Sequence, residues 1–146
     1  MKKISVIYWS GTGNTEEMAK AIAAGAGVDG VSVNLLSVDR ASKDDVLKSD
    51  AVALGCSAMG NEVLEEAEME PFVASLEGEK LSSIPLVLFG SYDWGDGQWM
   101  REWADRMKEQ GASLVEEEGL IIHNTPDEDG LELCKKLGAK LAAAIA

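Results

Sequence analysis

Five short apolar runs, each followed by a stretch with helical spacing, limit what this chain can fold into. The runs occupy 4–9, 31–36, 51–55 and 86–90, with a fifth at 113–115 and 120–122, split by the acidic run Glu116-Glu117-Glu118-Gly119. The third, Ala51-Val52-Ala53-Leu54-Gly55, carries no polar side chain, as a strand does when both faces of its sheet are covered. Helical patterns fill the gaps: Thr15 to Ala26, a short helix opened by the capping-box variant Ser42-Lys43-Asp44-Asp45 and running to Leu47, and Glu65 to Leu76 with Pro71 near its first turn. Two more follow, at Gly97 to Gln110 with Trp99, Met100, Trp103 and Met107 on one side, and at Asp127 to Ala144. The alternation predicts one α/β domain over residues 1–146, a doubly wound five-stranded parallel sheet with helices on both faces. Such sheets bind ligands beyond the carboxyl ends of their strands. Loops 9–15, 55–62 and 90–97 all leave strand ends there.

Composition narrows the partners. A chain of 146 residues that is 46% hydrophobic can bury a core, and its formal charge of −13 repels nucleic acid and anionic membrane. Partner proteins with basic surfaces fit that field. No apolar run approaches the roughly 20 residues of a spanning helix, and Met1-Lys2-Lys3-Ile4 does not open a secretory leader. Cys56 and Cys134 lie far apart with no CxxC or histidine companion, so neither a disulfide framework nor a metal site is expected, and a cytoplasmic location is.

The first loop sets Ser10, Gly11, Thr12, Gly13, Asn14 and Thr15 between a strand and a helix. Glycines let backbone approach a ligand, and consecutive N–H groups at a helix start make a positive concavity for phosphate. No Gly-Lys-[Ser/Thr] follows, and Glu16 stands where a dinucleotide fingerprint has its third glycine. A monophosphate held by neutral donors fits better than a polyphosphate with magnesium; simple helix capping by Ser10 to Thr15 is the bland alternative. The second and third loops each set one large soft or aromatic residue, Met59 or Trp94, among glycines. A flat ligand between them is one reading. Trp94 packed on the helix that carries Trp99 and Trp103 is the other.

Together the segments Tyr8 to Thr15, Gly55 to Gly60, Glu62 to Glu66 and Trp94 to Gly97 resemble the flavodoxins, in particular the short-chain clostridial type, over essentially the whole chain. The resemblance implies strand order 2-1-3-4-5, one non-covalent FMN, and a low-potential one-electron carrier between redox enzymes with no catalytic residue and no metal of its own. Ser10, Thr12, Asn14 and Thr15, with amides of Gly11 and Gly13, are then the phosphate holders. Met59 covers the inner ring face and Trp94 the outer. Gly60 and Asn61 stand near N5, Glu62 near N3, and the amides of Asp93 to Gly95 at the pyrimidine oxygen. Ser57, Ala58, Ser91 and Tyr92 complete the cofactor set. Partners are reductases and oxidoreductases with basic surfaces, and the carrier is a monomer.

Two residues depart from that pattern: Asn61 stands where clostridial relatives commonly carry Asp, and Asp93 where they commonly carry Gly. A receiver domain has the same layout but needs an Asp ending strand three and a Lys ending strand five, where this chain has Gly55-Cys56-Ser57 and Ile122-His123. A flavin-dependent reductase needs room over the ring, where Trp94 stands, and a nucleotide-binding regulatory module would carry no colour. Met59-Gly60-Asn61-Glu62 suits a four-residue turn whose middle peptide flips, since Gly60 takes positive φ freely and Asn61 tolerates it. Its carbonyl then accepts from the N5–H gained with the first electron and proton. Gly60→Ala is expected to lower the first one-electron potential while oxidised FMN stays bound. A redox titration in which neither midpoint potential moves would defeat the flip.

Overall fold

The computed structural model describes residues 1–59 and 63–146; Gly60, Asn61 and Glu62 lie outside the described residues. Strand β1 (Lys2–Trp9) is followed by helix α1 (Asn14–Ala26), strand β2 (Val31–Ser37), helix α2 (Lys43–Leu47) and strand β3 (Ala51–Cys56). Helix α3 (Met69–Ser75), strand β4 (Pro85–Tyr92) and helix α4 (Gln98–Glu109) come next. Strands β5 (Ser113–Leu114) and β6 (Leu120–His123) and helix α5 (Glu128–Ala143) complete the order.

All pairings in the sheet are parallel, in the order β2-β1-β3-β4-β5, with β6 also on β4. The expected split of the fifth strand is therefore real: β5 pairs with the start of β4 and β6 with its end, Phe89 to Tyr92 opposite Leu120 to His123. Among the described residues no helix is long and apolar enough to cross a membrane.

Each central strand divides its side chains by period 2 between two cores. Val52, Leu54, Cys56, Leu86 and Leu88 join the side covered by Phe72, Trp99, Trp103 and Met107. Ala51, Ala53, Val87 and Phe89 join the side covered by Met18, Ile22, Leu137 and Leu141 of α1 and α5. Small and large residues alternate across the strands: a Cβ on Gly55 would sit 2.2 Å from the Phe89 ring. Likewise, Gly90 leaves the Cys56 carbonyl open, where the buried Trp99 Nε1–H donates to it at 3.2 Å. That bond anchors α4 over the end of β3.

The structure moves one helix boundary. The apolar periodicity predicts a helix from Glu65, but α3 begins at Met69. The Glu65 side chain accepts the N–H groups of Ala67, Glu68 and Met69, so these residues form a turn around a carboxylate before the helix starts. Pro71 does fall in the first turn, and the capping box at Ser42 and Asp45 is present.

Helices α1 and α5 touch almost backbone to backbone. A Cβ on Gly138 would lie 2.0 Å from the Ile22 carbonyl oxygen, and one on Gly25 would lie 1.9 Å from that of Lys135. Gly138→Ala is thus expected to destabilise the fold by about 1–3 kcal/mol despite the better helix propensity of alanine. Urea unfolding checks this; an unchanged or raised midpoint would show that the helices can part freely.

Candidate functional site

The carboxyl ends of β1, β3 and β4 are joined by one hydroxyl. Thr15, fully buried at the start of α1, has its Oγ1 2.6 Å from Ser57 Oγ and 2.9 Å from Ser91 Oγ, and accepts the Ser91 N–H at 3.2 Å. The two serine hydroxyls are 3.3 Å apart, and the Ala58 N–H donates to the Ser91 carbonyl at 3.0 Å. Loops 9–15, 56–59 and 91–97 are thereby held in register by residues that are distant in sequence.

Within the first loop, Ser10 Oγ accepts the Gly13 N–H at 3.1 Å. Gly13 sits at φ 96°, a left-handed conformation that suits glycine, and as the residue before α1 it supplies no side-chain cap. The N–H groups of the first helical turn are left for an incoming acceptor. No lysine or arginine occurs in 9–15, 56–59 or 91–97. Glu16 is turned to Tyr8, whose hydroxyl donates to it at 3.2 Å, and to Lys20 at 3.8 Å.

The second loop leaves β3 at Cys56. Burial pushes the Cys56 thiol up to about 12, so it stays protonated, donating to the Ser57 carbonyl at 3.3 Å. Met59 and Val63 exchange two backbone hydrogen bonds, each 2.9 Å long. Beyond them, burial acts to raise the Glu65 pKa, but N–H groups of Met69, Glu68 and Ala67 together hold it below the usual carboxylate range. The third loop bends at Gly95 and Gly97, both at positive φ.

A fourth segment, unassigned by the sequence reading, meets the third. The His123 Nε2–H donates to the Asp93 carbonyl at 2.8 Å, the Asn124 N–H donates to the Tyr92 carbonyl at 2.8 Å, and the Tyr92 ring lies 5.0 Å from His123. His123 is thus a surface group that braces a loop. Asn124, at φ 59°, and Thr125 line the cavity. Their placement after β6 was the available signal, because strand-end loops form the site in this class of sheet.

These loops enclose a cavity of about 540 Å³, lined among others by Trp9, Gly11, Thr12, Asn14, Ser57, Ala58, Met59, Ser91, Tyr92 and Asp93. That volume is in the range of small-molecule sites. Met59 on its wall is 37% exposed, and Trp94, next to the lining residue Asp93, is 58% exposed. The alternative placement of Trp94 against Trp99 and Trp103 is not adopted: those two are buried on α4 and Trp94 stands out in solvent. Neutral donors on the wall, together with Met59 on it and Trp94 next to the lining residue Asp93, suit a flat heteroaromatic ligand with a phosphate tail. Gly60, Asn61 and Glu62 lie outside the described residues, and among those described no cluster of side chains could hold a metal ion.

Comparison with known proteins gives a consistent answer. A sequence model of the family described as Flavodoxin matches residues 6–138. A flavodoxin of Clostridium beijerinckii is 48% identical over 95% of this chain and 99% of its own, and one of Megasphaera elsdenii is 41% identical over 97% and 99%. The crystal structure of oxidised flavodoxin 1 from Bacillus cereus superposes with a TM-score of 0.89 at 25% identity, covering 99% of this chain and 100% of that one.

The hydroxyl junction makes a direct test. Thr15→Val keeps the shape but removes both hydroxyl contacts and leaves the buried Ser91 N–H without its acceptor, costing about 1–3 kcal/mol. Thr15→Ser should retain most of that. Denaturant unfolding of the cofactor-free chain reads the difference; equal midpoints for the Val and Ser variants would refute it.

Proposed function

The chain belongs to the flavodoxin family, and from that membership we propose that the cavity at the carboxyl ends of β1, β3 and β4 is where it holds FMN. Members of the family are electron-transfer proteins, not enzymes, and this chain is one of them, a carrier that binds FMN non-covalently. The flavin supplies the redox chemistry, taking up and releasing electrons singly. The residues of the chain decide where it sits and what surrounds it.

In this reading Ser10, Thr12, Asn14 and Thr15, with N–H groups of residues 11–15, hold the phosphate. Ser57 and Ser91 stand below it, and the Thr15 hydroxyl keeps them there. Met59 lies against the inner ring face and Trp94 against the outer, which excludes water from both. Amides of Asp93 to Gly95 face the pyrimidine end, with His123 bracing the Asp93 carbonyl. Gly60, Asn61 and Glu62 keep the roles expected from the sequence. The observation that carries the reading is the pair Met59 and Trp94: two large apolar side chains left in solvent, one on the wall of a cavity lined also by neutral donors and one next to its lining residue Asp93.

The phosphate arrives without a fixed cation, in a chain of formal charge −13. Added negative charge at the ring is therefore unfavourable, and the second electron is accepted at a strongly negative potential. Exposed Glu66, Glu68, Asp93 and Asp96 surround the same end of the sheet and suit partners with basic surfaces. The net charge opposes self-association, in keeping with a monomer, and two buried free cysteines suit a reducing cytoplasm.

An anaerobic spectroelectrochemical titration of the purified protein is the decisive measurement. It should show one FMN per chain, two separate one-electron steps, and a second step well below the first. Electron transfer to a basic partner should slow steeply as salt rises. A chain that neither carries nor takes up FMN would end the reading, and salt-indifferent rates would end the account of the partner surface.

A further inference from the structure

Sequence 62–70 reads as an acidic, solvated stretch, yet one carboxylate in it is turned inward. Glu65 is 9% exposed. Its Oε1 accepts the N–H groups of Glu68 at 2.7 Å and Met69 at 3.0 Å, and its Oε2 accepts that of Ala67 at 2.9 Å. The backbone of the same residue is also occupied: its carbonyl accepts the Glu70 N–H at 2.8 Å, and its own N–H donates to Cys56 Sγ at 3.5 Å.

A simple helix cap would need one of these contacts. Here one residue links two parts, the first turn of α3 and the end of β3 through Cys56, and it stands two residues after the Met59–Val63 bridge. The segment leaving β3 is thus closed twice before α3 begins, once by the bridge and once at Cys56 and Glu65. Met59 stands at the cavity on this segment. Chain continuity joins the turn at 65–69 to Val63, and the bridge joins Val63 to Met59.

Resting on the FMN reading above, we propose that Glu65 is a positioning residue for the flavin: its carboxylate fixes the Met59–Val63 bridge against α3 and so sets the first one-electron potential from outside the cavity. The ionised form is required, because all three of its partners donate. A glutamine offers one acceptor oxygen to Glu68 and Met69 and turns an NH₂ group toward the Ala67 N–H, so that contact is lost and replaced by a clash of donors.

The test compares wild type, Glu65→Gln and Glu65→Asp, with Asp50→Ala as a control. Asp50 accepts the Lys3 N–H at 2.8 Å at the amino end of β3, so its loss removes a charge and a backbone contact at the opposite end of the sheet. Two quantities are read: amide hydrogen exchange at Met59 and Val63 in the chain without FMN, and the first midpoint potential with FMN bound. The first potential is chosen because its step adds an electron and a proton together, so removing a charge alone acts mainly on the second. Glu65→Gln should exchange at least tenfold faster at both amides and lower the first potential by at least tenfold in the equilibrium constant, about 59 mV for a one-electron couple. Glu65→Asp should fall between it and wild type, and Asp50→Ala should match wild type in both. Faster exchange with an unchanged first potential would overturn the proposal, leaving a structural cap and an intact FMN site. Unchanged exchange, or an equal response from Asp50→Ala, would overturn it as well. Wild type that takes up no FMN would overturn the reading and the proposal together.

Discussion

A buried threonine hydroxyl has one proton to give and two lone pairs to offer, and in this protein all three are committed. Thr15 accepts the Ser91 N–H and lies within hydrogen-bonding distance of the hydroxyls of Ser57 and Ser91. It can donate to one serine and accept from the other, which leaves no capacity unused. Three loops that leave three different strands are therefore fixed against one another at a single point. The rest of the site is built outward from it: Ala58 on the Ser91 carbonyl, Met59 beyond Ala58, and the first turn of α1 on the other side.

The parallel sheet makes that junction possible. Carboxyl ends of β1, β3 and β4 lie side by side, and both faces of the sheet are covered. Packing at these ends is tight enough to depend on absent atoms. A bare Gly90 lets the Trp99 indole reach the Cys56 carbonyl, and a bare Gly55 makes room for Phe89. The scaffold is rigid where the cavity needs it, while Met59 and Trp94 remain exposed where a partner must approach.

Electrostatics then separate this site from other phosphate sites. In the proposed site the phosphate is offered backbone N–H groups, hydroxyls and an amide but no fixed positive charge, in a chain whose acidic residues outnumber its basic ones two to one. Such an environment tolerates the dianion through directed hydrogen bonds and penalises further negative charge at the ring. The same acidity, displayed on exposed side chains, is what a basic partner surface would meet. In the proposed reading, holding the cofactor, depressing its second potential and steering its partner draw on one feature of the composition.

How far these arrangements were legible in the sequence follows from the distance over which each is decided. Element order and class were readable because apolar periodicity is local, and the three ligand loops because glycines, hydroxyls and aromatics cluster where strands end. What sequence could not show depends on partners far along the chain. Thr15 read as a phosphate group or a helix cap, and only the fold places Ser91, 76 residues on, against its hydroxyl. Glu65 read as the start of a helix because helix periodicity does not reveal a side chain that folds back onto amides two to four residues ahead, and α3 consequently begins at Met69. Asn124 and Thr125 could be read only as residues that follow a strand end, and it took the pairing of β6 with the end of β4 to bring them beside Tyr92. Local pattern determined which elements form and where the chain offers chemistry. Tertiary structure decided which polar groups satisfy one another, because a buried donor or acceptor takes whatever partner the packing brings within 3 Å or so, however distant in sequence.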